Sequence, residues 1–238
     1  MNNSLSIVVF ALNKEHELRQ SYQRVKNILV QRKVEHEFTI VNDGSVDRTW
    51  EVANKIAEND PVVKIINHQF SRGTGFSYRE ALQQTNKDFF MWMNGYCVVS
   101  DEDLNTLFDV IGHTDLTLIH IKNPSIRSIG RRVMSRFFTI LMNTITGLGH
   151  RYYNGMLFCR TNSLKSIKIR SNGYTFQAEA ISKLQLQHNC SSKSIGLTLE
   201  ARNGKSNAVK VQNFINVAKF FIFLVYDLFI DRKKISKI

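Results

Sequence analysis

Asn13, Asp43 and Ser45 are the first side chains in this sequence whose positions suit them to grip a small molecule. Each follows a short apolar run: Ser6–Leu12 leads into Asn13-Lys14-Glu15, and Phe38–Val41 leads into Asn42-Asp43-Gly44-Ser45-Val46-Asp47. A helix-like segment comes after each turn. That alternation is the βαβ pattern of a parallel sheet, whose ligands bind in the crevice at the carboxyl ends of the strands. Farther on, Ser71-Arg72-Gly73-Thr74-Gly75 is a turn that opens another helix.

The elements needed to position these residues follow from apolar spacing. His16–Arg32 reads as a helix with Leu18, Tyr22, Val25, Ile28 and Leu29 on one face. Asp47 caps a helix running through Ile56. Val62–Asn67 and Asp88–Met93 read as strands around a helix over Phe76–Thr85. Asp101–Ile111 reads as a helix capped from Ser100, with Asp103 at the capping-box position. Leu116–Ile121 is the next strand. This order predicts an α/β fold: a mainly parallel sheet covered by helices on both faces.

The second half is less regular. Arg131–Ile145 reads as a basic amphipathic helix, Asn154–Cys159 as a strand, Phe176–Leu186 as a helix and Ile195–Glu200 as a late strand. Phe214–Ile230 is the most apolar stretch. It is interrupted by Lys219 and Asp227 and falls short of the roughly 20 apolar residues of a membrane span. With Lys210 before it and Arg232-Lys233-Lys234 after it, it reads as a helix lying in a membrane interface. The competing reading is a helix packed on the domain or in a dimer interface. The expected organisation is a catalytic-type domain over 1–212 and an amphipathic C-terminal helix over 213–238.

Charge divides the chain near its middle. The net charge is +12 over 238 residues. Residues 1–114 carry 12 Lys and Arg against 15 Asp and Glu, whereas residues 115–238 carry 20 against 5. So basic a second half calls for an anionic partner. Its cations alternate with large apolar side chains and form no nucleic-acid motif, which favours an anionic membrane surface over nucleic acid. Cys97, Cys159 and Cys190 share no metal-ligand spacing and are odd in number, which suits a reducing cytosol. The first apolar run is short and lacks a cationic lead, so it reads as a strand and not as a leader. The expected location is cytoplasmic, peripheral on the cytoplasmic face of the membrane.

Five segments in order resemble family 2 glycosyltransferases of the GT-A fold, closest to the dolichyl/polyprenyl-phosphate sugar synthase group. They are Phe10-Ala11-Leu12-Asn13-Lys14, Asn42–Asp47, Arg72–Gly75, Gly173-Tyr174-Thr175-Phe176-Gln177-Ala178-Glu179 and Arg202-Asn203-Gly204-Lys205-Ser206. The match covers roughly residues 5–210. It implies a UDP- or GDP-linked sugar donor held by Ala11, Asn13, Lys14, Asp43, Ser45, Arg72, Asn94 and Tyr96. Asp43 would accept hydrogen bonds from the base or ribose, and Arg72 would meet the diphosphate. Glu179, Gln177 and Arg202 become the catalytic candidates. Arg131, Arg132, Lys205 and Ser206 become candidates for the phosphate of a lipid acceptor, the alternative being a glycan acceptor in cell-envelope glycan synthesis.

The departures from the family pattern are as informative. The family's Asp-x-Asp motif holds Mg²⁺ or Mn²⁺ against the donor diphosphate; the corresponding positions here are Asn94 and Tyr96. Hard cations want carboxylate oxygens. Asp101, Glu102 and Asp103 are nearby, but they suit the acidic start of a helix. Lys14 stands where the family places Glu, and Tyr152-Tyr153-Asn154-Gly155 keeps the glycine of an acceptor segment but loses its acid. Two readings stay open: a transferase in which Lys14 and Arg72 replace the metal's charge, or a catalytically impaired nucleotide-sugar-binding or partner protein.

Overall fold

The structure is a computed structural model and describes residues 4–97, 99–200 and 211–229. Its seven strands are β1 (Leu5–Ala11), β2 (His36–Asp43), β3 (Val63–His68), β4 (Phe89–Asn94), β5 (Leu116–Ile121), β6 (Leu157–Arg160) and β7 (Ser192–Leu197). They form one sheet in the order β3-β2-β1-β4-β6-β5-β7. β1 lies between β2 and β4 and pairs with both in parallel; β6 runs antiparallel to its neighbours β4 and β5. The expected mainly parallel sheet is therefore present, with one reversed strand.

All seven residues of β1 are buried, as a strand covered on both faces must be. Its side chains alternate between two cores. Ile7, Val9 and Ala11 join the apolar stripes of α1 (Leu18–Gln31), α2 (Thr49–Glu58) and α4 (Asp101–Asp109). Val8 and Phe10 join the opposite core, built from α3 (Thr74–Gln83), α5 (Ile129–Thr146), α6 (Thr161–Ser166), α7 (Phe176–His188) and α8 (Val211–Phe229).

The predicted elements are present with shifted ends, and the short α6 was not foreseen. The late strand begins at Ser192, earlier than the apolar run suggested, because pairing with β5 extends through the polar Ser192-Lys193-Ser194. Ser100 caps α4, its Oγ accepting from Asp103 N–H at 3.1 Å. Asp103 does not complete a capping box; its carboxylate accepts from Thr198 N–H at 2.6 Å across the fold.

α8 packs against the domain. Phe220, Leu224, Asp227 and Leu228 are buried, while Ile222, Phe223, Val225 and Tyr226 face outward. Among the described residues, no helix is long and apolar enough to cross a membrane.

Candidate functional site

Register fixes the site. Phe10 pairs with Val41 on one side and Asn94 on the other, so β1, β2 and β4 end level. The turns after them bind one another. Asn13 N–H donates to Ser45 Oγ at 3.0 Å, and Val46 N–H donates to Asn13 Oδ1 at 3.0 Å. Asn13 holds φ at +53°, a conformation that asparagine tolerates better than most residues. Gly95 N–H donates to Phe10 C=O at 2.7 Å, and a Cβ at Gly95 would press on Phe10 and Ala11 backbone. That close approach sets Tyr96 beside the first turn, where Lys14 Nζ sits 5.3 Å from its ring centroid. Ala11, Asn13, Lys14, Ser45, Asn94 and Tyr96 are thus brought to one edge. Ala11 is buried backbone scaffold, and Asn94 is exposed.

Asp43 lies behind this edge. Its Oδ1 accepts from Arg72 N–H (2.9 Å), Ser77 Oγ–H (3.2 Å) and the His68 ring (2.7 Å). Its Oδ2 accepts from Ser71 Oγ–H (2.8 Å) and Gly73 N–H (3.2 Å). Burial raises the carboxyl pKa, but the bonds from Arg72, His68, Ser71 and Gly73 outweigh it and hold the group below its ordinary value. A ligand N–H would have to displace one of these donors. Asp43 therefore moulds the Ser71–Gly73 turn. His68 also contacts Glu80 at 2.7 Å; its place at the end of β3 was the sequence signal for it. The Arg72 guanidinium stacks on Phe76, 3.5 Å from the ring centroid, and has no carboxylate partner among the described residues.

The second group of candidates separates. Arg131, in the first turn of α5, is half-buried; burial, then the charge of Arg127, lowers its pKa, against the fields of Tyr152, Tyr96 and Tyr174. It faces the same edge as Tyr96. Arg127 donates to Tyr152 Oη at 2.9 Å. Arg132 is exposed. Gln177 is buried, with Nε2 left without a hydrogen-bond partner. Glu179 is 3% exposed. Its Oε1 accepts from Arg170 N–H (2.9 Å) and Lys183 Nζ (2.7 Å), its Oε2 from Ser171 N–H (2.9 Å). An acceptor hydroxyl could reach this carboxylate only by breaking that shell. Arg202, Lys205 and Ser206 lie outside the described residues.

Lys183 and Asp227 were missed in the sequence. Lys183 follows Glu179 by four residues on α7, a pairing distance. Asp227 falls on the buried face with Phe220, Leu224 and Leu228, where a lone acid demands a cation.

The metal-binding chemistry does not fit. Among the described residues no three His, Cys, Asp or Glu side chains cluster to hold an ion. Asn94 offers one neutral carbonyl and Tyr96 a phenol. Asp101 pairs with Arg24, and Asp103 holds Thr198.

Residues 6–170 match the model of glycosyl transferase family 2. The chain is 44% identical over 70 residues to the uncharacterized glycosyltransferase YkcC of Bacillus subtilis, covering 29% of this chain and 21% of that protein. It is 29% identical over 128 residues to a dolichol-phosphate mannosyltransferase of Pyrococcus furiosus, covering 54% of this chain and 33% of that one. It thus spans between a fifth and a third of these relatives. Among solved structures, glucosyl-3-phosphoglycerate synthase of Mycobacterium tuberculosis with uridine diphosphate superposes with a TM-score of 0.69 at 15% identity, covering 91% of this chain and 79% of that one. S. aureus TarS 1-349 with UDP-GlcNAc superposes at 0.64 and 20% identity, covering 95% and 67%. These likenesses give the GT-A-like fold, and the family match covers most of the sequence: the chain belongs to glycosyl transferase family 2.

Proposed function

We propose that this protein is an inverting glycosyltransferase that moves a sugar from a UDP- or GDP-sugar to a polyprenyl phosphate or glycan acceptor in cell-envelope glycan synthesis, working at the cytoplasmic face of the membrane. The observation that carries the reading is the level ending of β1, β2 and β4, with Asn13, Lys14, Ser45, Asn94 and Tyr96 on one edge. The Mycobacterium and Staphylococcus structures named above hold uridine nucleotides.

In this reading the acceptor oxygen attacks the anomeric carbon as the bond to the diphosphate oxygen breaks. The electron pair leaves with the nucleoside diphosphate, and the configuration inverts. Lys14 and Arg72, with Arg131 near Tyr96, supply positive charge where negative charge develops. A phosphate acceptor suits the enclosed Glu179. An alcohol needs a base, whereas a phosphate oxygen is already anionic. Arg131 and Arg132, with Arg202, Lys205 and Ser206, then meet the acceptor phosphate.

The membrane part rests on two faces. α5 exposes Ile129, Val133, Phe137 and Ile140, and α8 exposes Ile222, Phe223, Val225 and Tyr226. Phe138 of α5 packs on Phe220 and Phe221 of α8, so the two helices adjoin. Arg132 and Arg136 lie exposed on α5, without carboxylate partners among the described residues. Apolar side chains beside unpaired cations suit an anionic bilayer surface.

A second reading, a nucleotide-sugar-binding or partner protein without turnover, is favoured by Asn94 and Tyr96 at the metal positions. Calorimetry with UDP- and GDP-sugars, followed by transfer assays to polyprenyl phosphate in vesicles, distinguishes the two. Binding without transfer to any acceptor supports the second, and absence of any nucleotide binding overturns the first and leaves only the partner-protein form of the second.

A further inference from the structure

We infer that Lys183 and Asp227 are positioning residues: a buried ion cluster between α7 and α8 fixes the Arg170–Asn172 segment, and through it the Arg72–Gly75 turn of the donor side. The donor-site assignment rests on the function proposed above; the hydrogen-bonded connection does not.

The connection starts on α8. Lys183 Nζ donates to Asp227 Oδ2 at 2.6 Å, Glu179 Oε1 at 2.7 Å and Lys168 C=O at 2.6 Å, so all three of its protons are used. Lys183, Glu179 and Asp227 are each 3% exposed. Arg170 Nη2 lies 3.2 Å from Asp227 Oδ1, a charge contact without hydrogen-bond alignment. Lys183 thus balances Glu179 and Asp227 from within, and the exposed Arg170 adds its charge from the rim. Removing one member strands the others, because buried charge is tolerated only when paired.

From Glu179 the path continues through backbone. Its two oxygens take the N–H groups of Arg170 and Ser171. Ser171 C=O and Asn172 Oδ1 accept from the Arg79 guanidinium at 2.8 Å and 2.5 Å. Asn172 C=O accepts from Gly75 N–H at 2.9 Å. The two chains touch so closely that a Cβ at Gly75 would lie 2.1 Å from Ser171 C=O, and one at Gly73 2.6 Å from Asn172 C=O. That contact accounts for both glycines. Gly73 and Arg72 N–H then bond Asp43 at the end of β2. Every link from α8 to the strand ends is a direct bond. α8 therefore contributes to the shape of the turn as well as to the proposed membrane face, and its charge at Asp227 is the only acidic contribution among its described side chains.

Spatial continuity alone does not establish coupling, so the test measures it directly. Amide hydrogen exchange is compared in the full chain for the native protein, Asp227→Asn and the charge-neutral pair Lys183→Met with Asp227→Leu. The pair removes one cation and one anion, leaves Glu179 held by the Arg170 and Ser171 N–H groups, and keeps the apolar docking of α8. Exchange at Arg170–Asn172 and Gly73–Gly75 should rise about tenfold in both variants. Core amides of β1 and β2 should stay within about twofold, which excludes general destabilisation. Asp227→Glu should restore most of the protection. UDP affinity by calorimetry should fall about fivefold in both variants. If exchange rises in α7 and α8 but stays native at Gly73–Gly75, the connection is only local and the inference is overturned. If the native protein binds no nucleotide, the functional proposal fails, while the exchange result still decides this one. If Asp227→Asn does not fold, the neutral pair carries the decision.

Discussion

The two faces of the sheet are built on different chemistry. The side formed by α1, α2 and α4 is closed by regular amphipathic helices, and its buried acids Asp60 and Asp103 pair with lysines that still reach solvent, Lys26 and Lys122. The side formed by α3 and α5–α8 buries Lys183, Glu179 and Asp227 and leaves apolar residues of α5 and α8 in solvent. Charge is inside and apolar surface outside, the reverse of an ordinary arrangement. The first pattern keeps the cations of its ion pairs in contact with water. The second makes sense when part of the surface meets a partner and when internal charges hold one specific arrangement.

The sharpest way to break this contrast is to strand the buried charges. Lys183→Met removes the buried ammonium that Glu179 and Asp227 share, which should cost about 3–5 kcal/mol. Urea unfolding of the full chain checks it. A loss no larger than that of an ordinary surface lysine would show that water reaches the cluster, and the contrast between the faces would collapse.

Asp43→Ala acts on the donor side. It releases the donors of Ser71, Arg72, Gly73, Ser77 and His68 together, and about 3 kcal/mol of stability should go with them. Nucleotide affinity should fall as well, because the turn loses its mould. The sign of the pH effect follows from the depressed carboxyl. Its folded value lies below the ordinary 3.8, so its contribution is complete above that value and is lost as pH falls beneath it. Asp43→Ala should therefore lose less further stability than the native protein between pH 4 and pH 2, measured by thermal melts across roughly that range. Parallel acid profiles for the two proteins would count against the role given to this carboxylate.

The exposed side comes next. Phe137→Asp with Phe223→Asp places charges on side chains that are 67% and 51% exposed, so folding should change by less than about 1 kcal/mol. Binding to phosphatidylserine-containing vesicles should weaken tenfold or more, given about 1.5–3 kcal/mol for burying each aromatic side chain. Flotation at low and high salt separates the contributions. Native protein that floats only at low salt would assign the attachment to Arg132 and Arg136 alone. Unchanged flotation of the double variant would remove α5 and α8 from the membrane surface.

The same contrast decides what the sequence could disclose. The α1, α2 and α4 face was legible because period-3.6 and strand patterns speak for themselves there: Leu18, Tyr22, Val25, Ile28 and Leu29 were the expected stripe and are all buried. The strand-end turns were legible too, since Asn13, Asp43 and Ser45 sit where parallel strands stop. The direction in which a side chain faces was not. Asp43 and Glu179 carry the residue types of a binding site, yet tertiary contacts turn both toward backbone N–H groups. Asp227 read as an interruption of an apolar run, because only the packed fold brings Lys183, 44 residues away, to meet it. The antiparallel β6 was equally hidden: four residues with no period of their own take their direction from β4 and β5.

The smallest expected effect concerns metal, and it tests the donor edge most closely. With Asn94 ending β4 and Tyr96 just beyond it, and no carboxylate cluster among the described residues, UDP affinity should differ by less than about twofold between EDTA and excess Mn²⁺. Installing carboxylates alone should not change that. Asn94→Asp with Tyr96→Asp supplies two hard oxygen donors, but Lys14 Nζ already lies near position 96 and would pair with the new acid. Two unit charges about 4 Å apart attract by roughly 4 kcal/mol at an effective dielectric near 20, before desolvation is subtracted. The double variant should therefore stay nearly metal-independent. Adding Lys14→Glu removes the competing cation, and Mn²⁺ should then tighten UDP binding about tenfold, or ~1.4 kcal/mol. Calorimetry on the three proteins, each with EDTA and with Mn²⁺, gives the answer. A native protein that binds UDP only with metal would mean that ligands come from elsewhere in the chain, and the cationic edge formed by Lys14 and Arg72 would lose its assigned role.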